Sequence, residues 1–459
     1  MKYISTRDNS KEYSFEDVFI KGLADDGGLF IPKEVKKYST EELESLSGLS
    51  YQDLAKKIIH PFIGDFMSES ELSDIVDKSY SVFRKNNAVA LIKVGDVSLL
   101  ELFHGPTLAF KDIAMQLLGN FYEFYLKKNN KNINVIVATS GDTGAAAIDA
   151  IKGKKNMNIF VLHPYNKVSL VQRKLMSTVK EKNVFNIAIE GNFDDCQNLV
   201  KSMFADKEFS NLINMSGVNS INWARIIAQS VYYFYTYFQI KDDRPINFSV
   251  PTGNFGDVYA GYLSKKMGLP INKLIVATNQ NDILHRAISK GKYEAETVLE
   301  TNSPSMDIQI ASNFERLIYD LNDFDDHETQ KVMSGIKEEG KYIIPKDKIK
   351  KIDRDFLSAS INENEVLDII REVHTMHNIV LDPHSAIGFG ALKKVNIEGN
   401  NIVLATAHPC KFPEAIDRSL GIKPDLPDEL KYVMDEKENY DIISNNLSKT
   451  QQYIKEKIQ

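Results

Sequence analysis

The chain has 459 residues, which is too many for a single hydrophobic core of ordinary size. We therefore expect two or three domains. Its 43% hydrophobic and 26% charged residues are typical of a soluble globular protein. The net charge is −7 and no long run of Lys or Arg stands out, which argues against nucleic acid and anionic membranes as partners.

The cysteines and the N-terminal segment indicate a cytoplasmic protein. Cys196 and Cys410 lie far apart in the sequence, which suits a reducing compartment and provides no disulfide framework. The N-terminal segment lacks the apolar stretch of a signal peptide, and no stretch approaches the roughly 18 apolar residues that span a bilayer.

Secondary structure changes in character along the chain. Residues 1–95 are predicted to be mostly helical, with Ser39 as a helix N-cap and short extended pieces between the helices. After them, apolar β-branched runs, polar glycine loops and helices alternate, as in INVIVATSGDTGAAAIDAIKG. This alternation predicts an α/β fold with a parallel sheet covered on both faces. Ligands of such sheets bind at the loops that follow the strands' carboxyl ends.

We therefore expect three consecutive domains. A mostly helical N-terminal cap covers residues 1–95, and an α/β domain with a candidate lysine follows at 96–240. A second α/β domain, 241–459, contains a glycine loop, a polar insertion at about 295–350 and a charged, helical tail after about residue 425.

One lysine lies among apolar and turn residues, in the stretch HGPTLAFKD that ends at Asp112. Lys111 is either a solvated lysine at a helix start, as most lysines are, or an amine held in place for chemistry. Burial would lower the pKa of this amine from about 10.4 toward about 7–8, where it could act as a base.

A glycine loop between a strand and a helix, PTGNFGD, is a candidate phosphate site. Gly253 and Gly256 allow close approach of the backbone, and free N–H groups at a helix start attract an anion. The alternative is a plain turn that merely needs glycine. The loop lacks the lysine and hydroxyl of a P-loop and the G-x-G-x-x-G pattern of a dinucleotide site.

Two further loops follow apolar strands. TSGDTG, Thr139–Gly144, offers hydroxyls and backbone donors for a carboxylate or a phenolic oxygen; alternatively it is a helix start capped by Ser140 or Asp142. TAHPCKF offers the Thr406 hydroxyl and the Lys411 cation; alternatively these are a strand-end residue and a solvated lysine. A lysine plus a separate phosphate loop is what pyridoxal phosphate requires.

Two other patterns rank lower. His374 and His377 have helical i,i+3 spacing without an evident third ligand, so no metal site is predicted. EGNFDD, Glu190–Asp195, resembles the glycine loop but lacks its second glycine, and its acidic pair would repel phosphate.

Several motifs in the same order resemble the threonine synthase family, in its bacterial and fungal branch with an added N-terminal region. They include HGPTLAFKD, ATSGDTGAAA, SINWARIIAQSVYYF, PTGNFGDVYAGY, ATNQND and TAHPCKF, and the resemblance extends from about residue 27 to about residue 412. It implies fold type II of the pyridoxal-phosphate enzymes: two open, mostly parallel sheets flanked by helices, with a mainly helical N-terminal region.

The resemblance also implies how pyridoxal 5′-phosphate is bound. Lys111 carries the cofactor, Asp142 stands beside the ring's 3′ oxygen, and Thr406 bonds the pyridine nitrogen. The loop that holds the cofactor's phosphate consists of Gly253, Asn254, Phe255, Gly256 and Asp257. Cys410 stands where the family commonly has alanine, an exchange of one small residue for another.

Substrate contacts are expected in two places. The TSGDTG loop, with Thr139, Ser140 and Thr143, would lie over the ring and the substrate carboxylate. Arg225 and Lys411 are candidate partners for the substrate's own phosphate, since a departing dianion needs positive charge near its oxygens.

The implied reaction converts O-phospho-L-homoserine and water into L-threonine and phosphate, with Lys111 as the base that removes the α-proton. One alternative is another fold type II lyase, such as a dehydratase or an amino-acid synthase. Others are a non-catalytic relative that binds ligand without turnover and a Rossmann dehydrogenase, whose fingerprint is missing. We expect a monomer or homodimer without nucleic acid, membrane or metal partners.

Overall fold

The computed structural model describes residues 1–240 and 242–458. Its strands, in chain order, are β1 (Tyr3–Ser5), β2 (Phe30–Pro32), β3 (Ala90–Val94), β4 (Val97–Glu101), β5 (Ile133–Ala138), β6 (Met157–Pro164), β7 (Val184–Glu190), β8 (Met215–Ser216), β9 (Ile246–Pro251), β10 (Ile271–Thr278), β11 (Lys292–Glu294), β12 (Lys341–Ile343), β13 (Phe356–Ser360), β14 (Asn400–Ala405) and β15 (Asp441–Ser444).

Its helices, in chain order, are α1 (Phe15–Lys21), α2 (Thr40–Leu46), α3 (Tyr51–Ile63), α4 (Glu69–Tyr80), α5 (Lys111–Asn129), α6 (Asp142–Ile151), α7 (Leu170–Ser177), α8 (Phe193–Ala205), α9 (Lys207–Leu212), α10 (Trp223–Gln239), α11 (Gly256–Lys266), α12 (Ile283–Lys290), α13 (Phe314–Leu321), α14 (Asp326–Glu339), α15 (Lys346–Asp355), α16 (Glu363–His377), α17 (Pro383–Val395), α18 (Pro413–Leu420) and α19 (Leu447–Ile458). Within the described residues, none of these helices is long and apolar enough to cross a membrane.

The chain forms two compact units, each built from two separate segments. The first unit comprises Met1–His104 and Ser220–Lys423, and the second unit comprises Gly105–Asn219 and the residues from Pro424 onward. These bounds differ from the three consecutive domains expected from the sequence. The tail joins the second unit instead of extending the last α/β domain, and the N-terminal region belongs to the same unit as the glycine loop.

A six-stranded sheet lies in the first unit, in the order β13–β10–β9–β14–β4–β3. Its neighbouring strands are parallel, except that β3 and β4 are antiparallel. β9 is buried along its whole length, as is usual for a parallel strand covered on both faces. Because β9, β10 and β14 run in the same direction, the loops that carry PTGNFGD, ATNQND and TAHPCKF leave the sheet at one edge.

The second unit contains a five-stranded parallel sheet in the order β15–β7–β6–β5–β8. Its hydrophobic core joins strand residues such as Ile136 and Phe160 to Cys196 of α8 and Ile454 of α19. The two mostly parallel sheets with their helices confirm the predicted α/β class. Two further sheets are small antiparallel pairs, β1 with β2 and β11 with β12.

The N-terminal region is mainly helical, as predicted. Ser39 caps α2, because its hydroxyl accepts the Glu42 backbone N–H and the Glu42 side chain bonds back to the Ser39 N–H. Aromatic contacts join α3 to α10 within the first unit: Tyr51 lies 5.5 Å from Tyr235, and Phe62 lies 6.1 Å from Trp223, between ring centroids.

Two segments differ in detail from the sequence-based expectation. The polar segment 295–350 contains α13, α14, β12 and the start of α15, so it is largely regular structure. The tail contains the predicted helix, α19, and also β15, which pairs in parallel with β7 at the edge of the second unit's sheet.

Candidate active site

Lys111 is the first residue of α5 and follows a tightly held turn. The Thr107 backbone N–H and hydroxyl both donate to the Asp112 carboxylate, at 2.8 and 2.6 Å. Gly105 has no room for a side chain, because an added Cβ would lie 2.4 Å from Asp112 Cβ. The Lys111 side chain is only 10% exposed, so it is not a solvated lysine at a helix start.

A buried carboxylate pairs with the Lys111 amine. Lys111 Nζ lies 3.1 Å from Asp142 Oδ2, and the Asp142 side chain is 4% exposed. The other carboxylate oxygen, Asp142 Oδ1, accepts a 2.9 Å hydrogen bond from Gln172 Nε2. One carboxylate is thus divided between an amine and an amide, which keeps a buried charge satisfied on both oxygens.

The loop before α6 is held from within by a threonine. Thr139 Oγ1 accepts hydrogen bonds from the backbone N–H groups of Gly141 and Gly144, both at 2.9 Å. This contact gives Thr139 a structural task in addition to the substrate contact predicted for it. Ser140 and Thr143 are partly exposed, which leaves their hydroxyls accessible to a ligand.

The start of α6 differs from the expectation that Ser140 or Asp142 is its N-cap. Gly141 occupies the N-cap position with a φ of +138°, and among the described residues no side chain caps this helix. The Asp142 side chain is not available for capping because it bonds Lys111 and Gln172.

The predicted phosphate loop connects β9 to α11 in the first unit. Phe255 is the N-cap of α11 with a φ of +63°, and within the described chain no side chain caps the helix. Gly253 is required by packing, since an added Cβ would lie 2.6 Å from the Ser305 carbonyl oxygen. Gly253, Asn254 and Gly256 are partly exposed. An uncapped helix start behind an accessible glycine loop suits an anion.

The lower-ranked loop, EGNFDD, has the opposite character. Asn192 caps α8, because its side chain accepts the Asp195 backbone N–H at 2.9 Å, and the Asp195 carboxylate accepts the Asn192 N–H at 2.8 Å. The donors that an anion would use at this helix start are therefore partly occupied, which supports ranking the loop below Gly253–Asp257.

Asp257 contributes to the first unit differently from the sequence-based expectation. Its carboxylate is buried and accepts hydrogen bonds from the hydroxyls of Tyr232 and Tyr233, the latter at 2.9 Å. Burial raises the pKa of Asp257 to about 6. A carboxylate would repel a phosphate, and here the tyrosines of α10 occupy it, so we retain only the Asp257 backbone N–H as a candidate phosphate donor.

Thr406 follows β14 directly and is 5% exposed. Its backbone N–H donates to Ser385 Oγ at 3.2 Å, and the Ser385 hydroxyl donates to the Asp382 carboxylate. Asp382 is the N-cap of α17. The hydrogen-bonded chain from Asp382 through Ser385 therefore fixes the backbone that presents the Thr406 side chain.

Sequence reasoning missed His384 in this cluster. His384 Nδ1 lies 2.9 Å from Asp382 Oδ1, and its ring centroid lies 4.9 Å from that of Phe412. His384 Nε2 is buried without a hydrogen-bond partner among the described residues. Aspartate followed by proline in LDPHS was an available signal for a helix start, but it gave no indication of this contact.

Sequence reasoning also missed Gln172. The spacing of Ser169 and Gln172 matches the S-x-x-Q pattern of a helix start, and the structure has Ser169 as the N-cap of α7. The pattern predicts a local contact only, whereas the Gln172 amide also reaches Asp142, 30 residues earlier in the chain.

The two candidate cations for the substrate's phosphate are both buried. Arg225 lies in α10, its Nε has no hydrogen-bond partner among the described residues, and burial lowers its pKa to about 10. Lys411 has no exposed surface and ends the short 3₁₀ turn Pro409–Lys411. A solvated Lys411 is therefore excluded.

The predicted site residues are divided between the two units. The second unit contains Lys111, Asp142 and the TSGDTG loop, and the first unit contains the glycine loop, Thr406, Arg225 and Lys411. A buried primary amine, an uncapped helix start behind glycines and a buried hydroxyl at a strand end fit the groups that pyridoxal phosphate needs.

Known protein families match nearly the whole chain. The family model described as "Threonine synthase N terminus" matches residues 2–80. The model described as "Pyridoxal-phosphate dependent enzyme" matches residues 93–406, and the model described as "Threonine synthase, C-terminal" matches residues 385–454. The fold and the amine site, with the central match, place the chain in the class of pyridoxal-phosphate-dependent enzymes of fold type II.

Comparison with individual proteins identifies the family within this class of enzymes. Threonine synthase from Pseudomonas aeruginosa is 43% identical, over 99% of this chain and 98% of the relative. The one from Saccharomyces cerevisiae is 42% identical, over 94% of this chain and 92% of the relative. The crystal structure of pyridoxal-phosphate-bound threonine synthase from Brucella melitensis is 43% identical and has a TM-score of 0.97, covering 100% of this chain and 99% of that chain. The chain belongs to the threonine synthase family.

Proposed function

We propose that the protein is a pyridoxal-phosphate-dependent lyase that converts O-phospho-L-homoserine and water into L-threonine and inorganic phosphate. Full-length similarity to threonine synthases supports this function. The structural observation that carries it is the buried Lys111–Asp142 pair, with 3.1 Å between Nζ and Oδ2. When bound, pyridoxal phosphate supplies an electron sink that allows the α-proton of the amino acid to leave.

Lys111 and Asp142 have different roles in the proposed reaction. Lys111 Nζ would hold the cofactor, and its free amine would take up the α-proton as a general base. Asp142 holds the amine by its Oδ2 atom and is the candidate partner of the ring's 3′ oxygen. The clamped turn before α5 limits the positions that the amine can adopt, because Thr107 and Asp112 fix its backbone.

Other cofactor contacts are proposed for the glycine loop and for Thr406. Backbone N–H groups of the loop Gly253–Asp257, with the α11 dipole behind them, bind the cofactor's phosphate. The Thr406 hydroxyl would bond the pyridine nitrogen. A hydroxyl stabilises charge on that nitrogen less than a carboxylate would, which moderates the electron sink.

The substrate would be held at both ends. Its carboxylate binds the hydroxyls and backbone donors of Thr139, Ser140 and Thr143, and its phosphate binds Arg225 and Lys411. Of the two cations we favour Lys411, whose loop is anchored by Thr406.

Lys411→Ala is expected to raise the KM for the phosphorylated substrate, or to slow phosphate release, with a normal cofactor spectrum. An unchanged KM and turnover would remove Lys411 from the phosphate site.

The setting of the reaction follows the same proposal. The enzyme works in the cytoplasm on small molecules, as a monomer or a homodimer. The two cysteines are both buried and unpaired, which suits a reducing compartment.

The direct test incubates purified holoenzyme with O-phospho-L-homoserine and measures threonine and phosphate together. We expect equimolar products, and none from unphosphorylated homoserine, because the leaving group is missing. Serine, O-acetylserine and threonine serve as competing substrates. Turnover of one of these in place of phosphohomoserine would identify another fold type II lyase, and cofactor binding without any turnover would identify a non-catalytic relative.

A further inference from the structure

The geometry points to Gln172 as a positioning residue for the reaction: it anchors one oxygen of Asp142 so that the other oxygen faces the Lys111 amine. This inference rests on the proposed function, since it assigns Lys111 to the cofactor. All of its contacts lie within the second unit.

Both ends of the Gln172 amide are used. Nε2 donates to Asp142 Oδ1 at 2.9 Å, and Oε1 accepts a 2.9 Å hydrogen bond from the Ser169 hydroxyl. Because a carboxylate only accepts hydrogen bonds, the NH₂ end of the amide must face Asp142, and the oxygen is left to accept from Ser169. A continuous hydrogen-bonded chain therefore runs from Ser169 through Gln172 and Asp142 to Lys111.

The same side chain also packs against the loop that carries Asp142. An added Cβ at Gly141 would lie 2.6 Å from the Gln172 amide carbon, so the amide occupies the space beside this glycine. Gln172 is 4% exposed, which shields the contact from competing water. A single glutamine thus restrains the Asp142 carboxylate by a hydrogen bond and its loop by packing.

The restraint matters because the two oxygens of a carboxylate are equivalent and rotation about the Cβ–Cγ bond exchanges them. With Oδ1 anchored on Gln172, Oδ2 is left at 3.1 Å from Lys111 Nζ. Without the anchor, both oxygens compete for the amine and the carboxylate samples several rotamers. A reacting group that is held in one orientation before substrate arrives loses less freedom on reaching the transition state.

Two substitutions test the role. Gln172→Leu removes the amide at nearly constant volume, and Gln172→Glu keeps the shape but replaces the donor with a carboxyl. Gln116→Leu is the matched control, because Gln116 is also buried in the second unit and its Nε2 donates to an aspartate, Asp149, at 2.7 Å. Both leucine variants lose a charge-assisted hydrogen bond to an aspartate, which is Asp142 for Gln172 and Asp149 for Gln116.

We expect Gln172→Leu to weaken cofactor binding, or to lower kcat, by roughly tenfold to a hundredfold, the loss typical of a hydrogen bond to a charged group. The absorbance band of the bound cofactor should shift, and a smaller fraction should become fixed to Lys111 on borohydride reduction. Gln116→Leu should lower thermal stability to a similar extent and leave the band, the fixed fraction and kcat unchanged.

Gln172→Glu separates positioning from packing. The introduced carboxyl would contact Asp142, which pairs with Lys111 through its other oxygen, and the neighbouring Arg173 pairs with Glu438 at 2.8 Å. Burial and the Asp142 charge raise the pKa of the introduced carboxyl. Once protonated it can donate to Asp142, so the variant should recover kcat relative to the parent as the pH is lowered.

Two results would overturn the role. One is a Gln172→Leu variant whose cofactor spectrum, fixed fraction and kcat match the parent. The other is a Gln172→Glu variant whose defect is independent of pH. Failure of the proposed function would look different, since the parent itself would then not convert phosphohomoserine, while the spectral comparison of the variants with the parent would still decide the role of Gln172.

Discussion

Lys111 is the residue whose exchange has the clearest expected consequence. In Lys111→Ala, borohydride reduction of protein loaded with pyridoxal phosphate should leave no pyridoxyl group on the peptide that contains residue 111, because only a primary amine can carry it. Peptide mapping by mass spectrometry measures this. Lys154→Ala is the matched control, since Lys154 Nζ lies 3.1 Å from Glu123 with its side chain 12% exposed. A label on another lysine of the parent would refute the assignment.

Asp257 makes a prediction about stability and pH. Burial raises its pKa to about 6 in the folded protein, compared with about 3.9 in an unfolded chain. The folded state therefore binds this proton more tightly, and the Asp257 contribution lowers the free energy of unfolding as the pH rises from about 4 to about 6.

Asp257→Asn removes this titration and retains an acceptor for Tyr232 and Tyr233. Relative to the parent, the free energy of unfolding of the variant should increase by on the order of 3 kcal/mol between pH about 4 and about 7. Urea unfolding across this range measures the difference. A difference that does not change with pH would show that Asp257 is ionised throughout.

The glycine loop before α11 has little room for an added side chain. In Gly253→Ala the new methyl would meet the Ser305 carbonyl at 2.6 Å, so the loop must move. We expect lower stability and weaker binding of pyridoxal phosphate together, measured by urea unfolding and by absorbance titration. A larger side chain, as in Gly253→Val, cannot leave the fold intact, since the clash is with the chain itself.

Gly335→Ala is the control for this experiment. Gly335 lies in α14, and an added Cβ there meets nothing within 4 Å. Alanine should stabilise the helix by about 0.5–1 kcal/mol and leave cofactor affinity unchanged. Undiminished affinity in a folded Gly253→Ala variant would exclude the loop as the phosphate site.

The helix starts show which contacts can be predicted from a local sequence pattern and which cannot. Ser39 was predicted as an N-cap and is one: serine followed by glutamate three residues later is a local signal, and the structure has this contact. The starts of α6 and α11 contain the same kinds of residue but no side-chain cap. Their aspartates, Asp142 and Asp257, bond partners that are 30–31 and 24–25 residues away, respectively. Such partners depend on tertiary packing, which a local pattern does not encode.

At the scale of the whole molecule, the tail is a structural part of the second unit. Ile454 of α19 has no exposed surface and belongs to the core that includes Ile136 and Cys196. Ile454→Ala should lower the free energy of unfolding by about 2–4 kcal/mol, as expected for a large-to-small exchange in a core. The exposed neighbour in Glu456→Ala should have little effect. Equal stabilities of the two variants would show that the tail contributes no core.

The architecture was predictable where each strand carries its own apolar signal. Strands such as β6 and β9 are long and buried, so their character is visible locally. β15 is four residues long and two of these are exposed, which made it indistinguishable from a charged tail. The order β15–β7–β6–β5–β8 depends on pairings between distant segments, and for this reason the sequence suggested three consecutive domains where the chain forms two discontinuous units.

The discontinuous units affect how the protein can fold during its synthesis on the ribosome. The segment up to His104 emerges with β4, whose parallel partner β14 is made about 300 residues later. β7 likewise waits for β15, which is made about 250 residues later. Until then the outer edge of β7 is an open template on which a neighbouring nascent chain can add a strand. We therefore expect this edge to need chaperone protection until β15 has been translated.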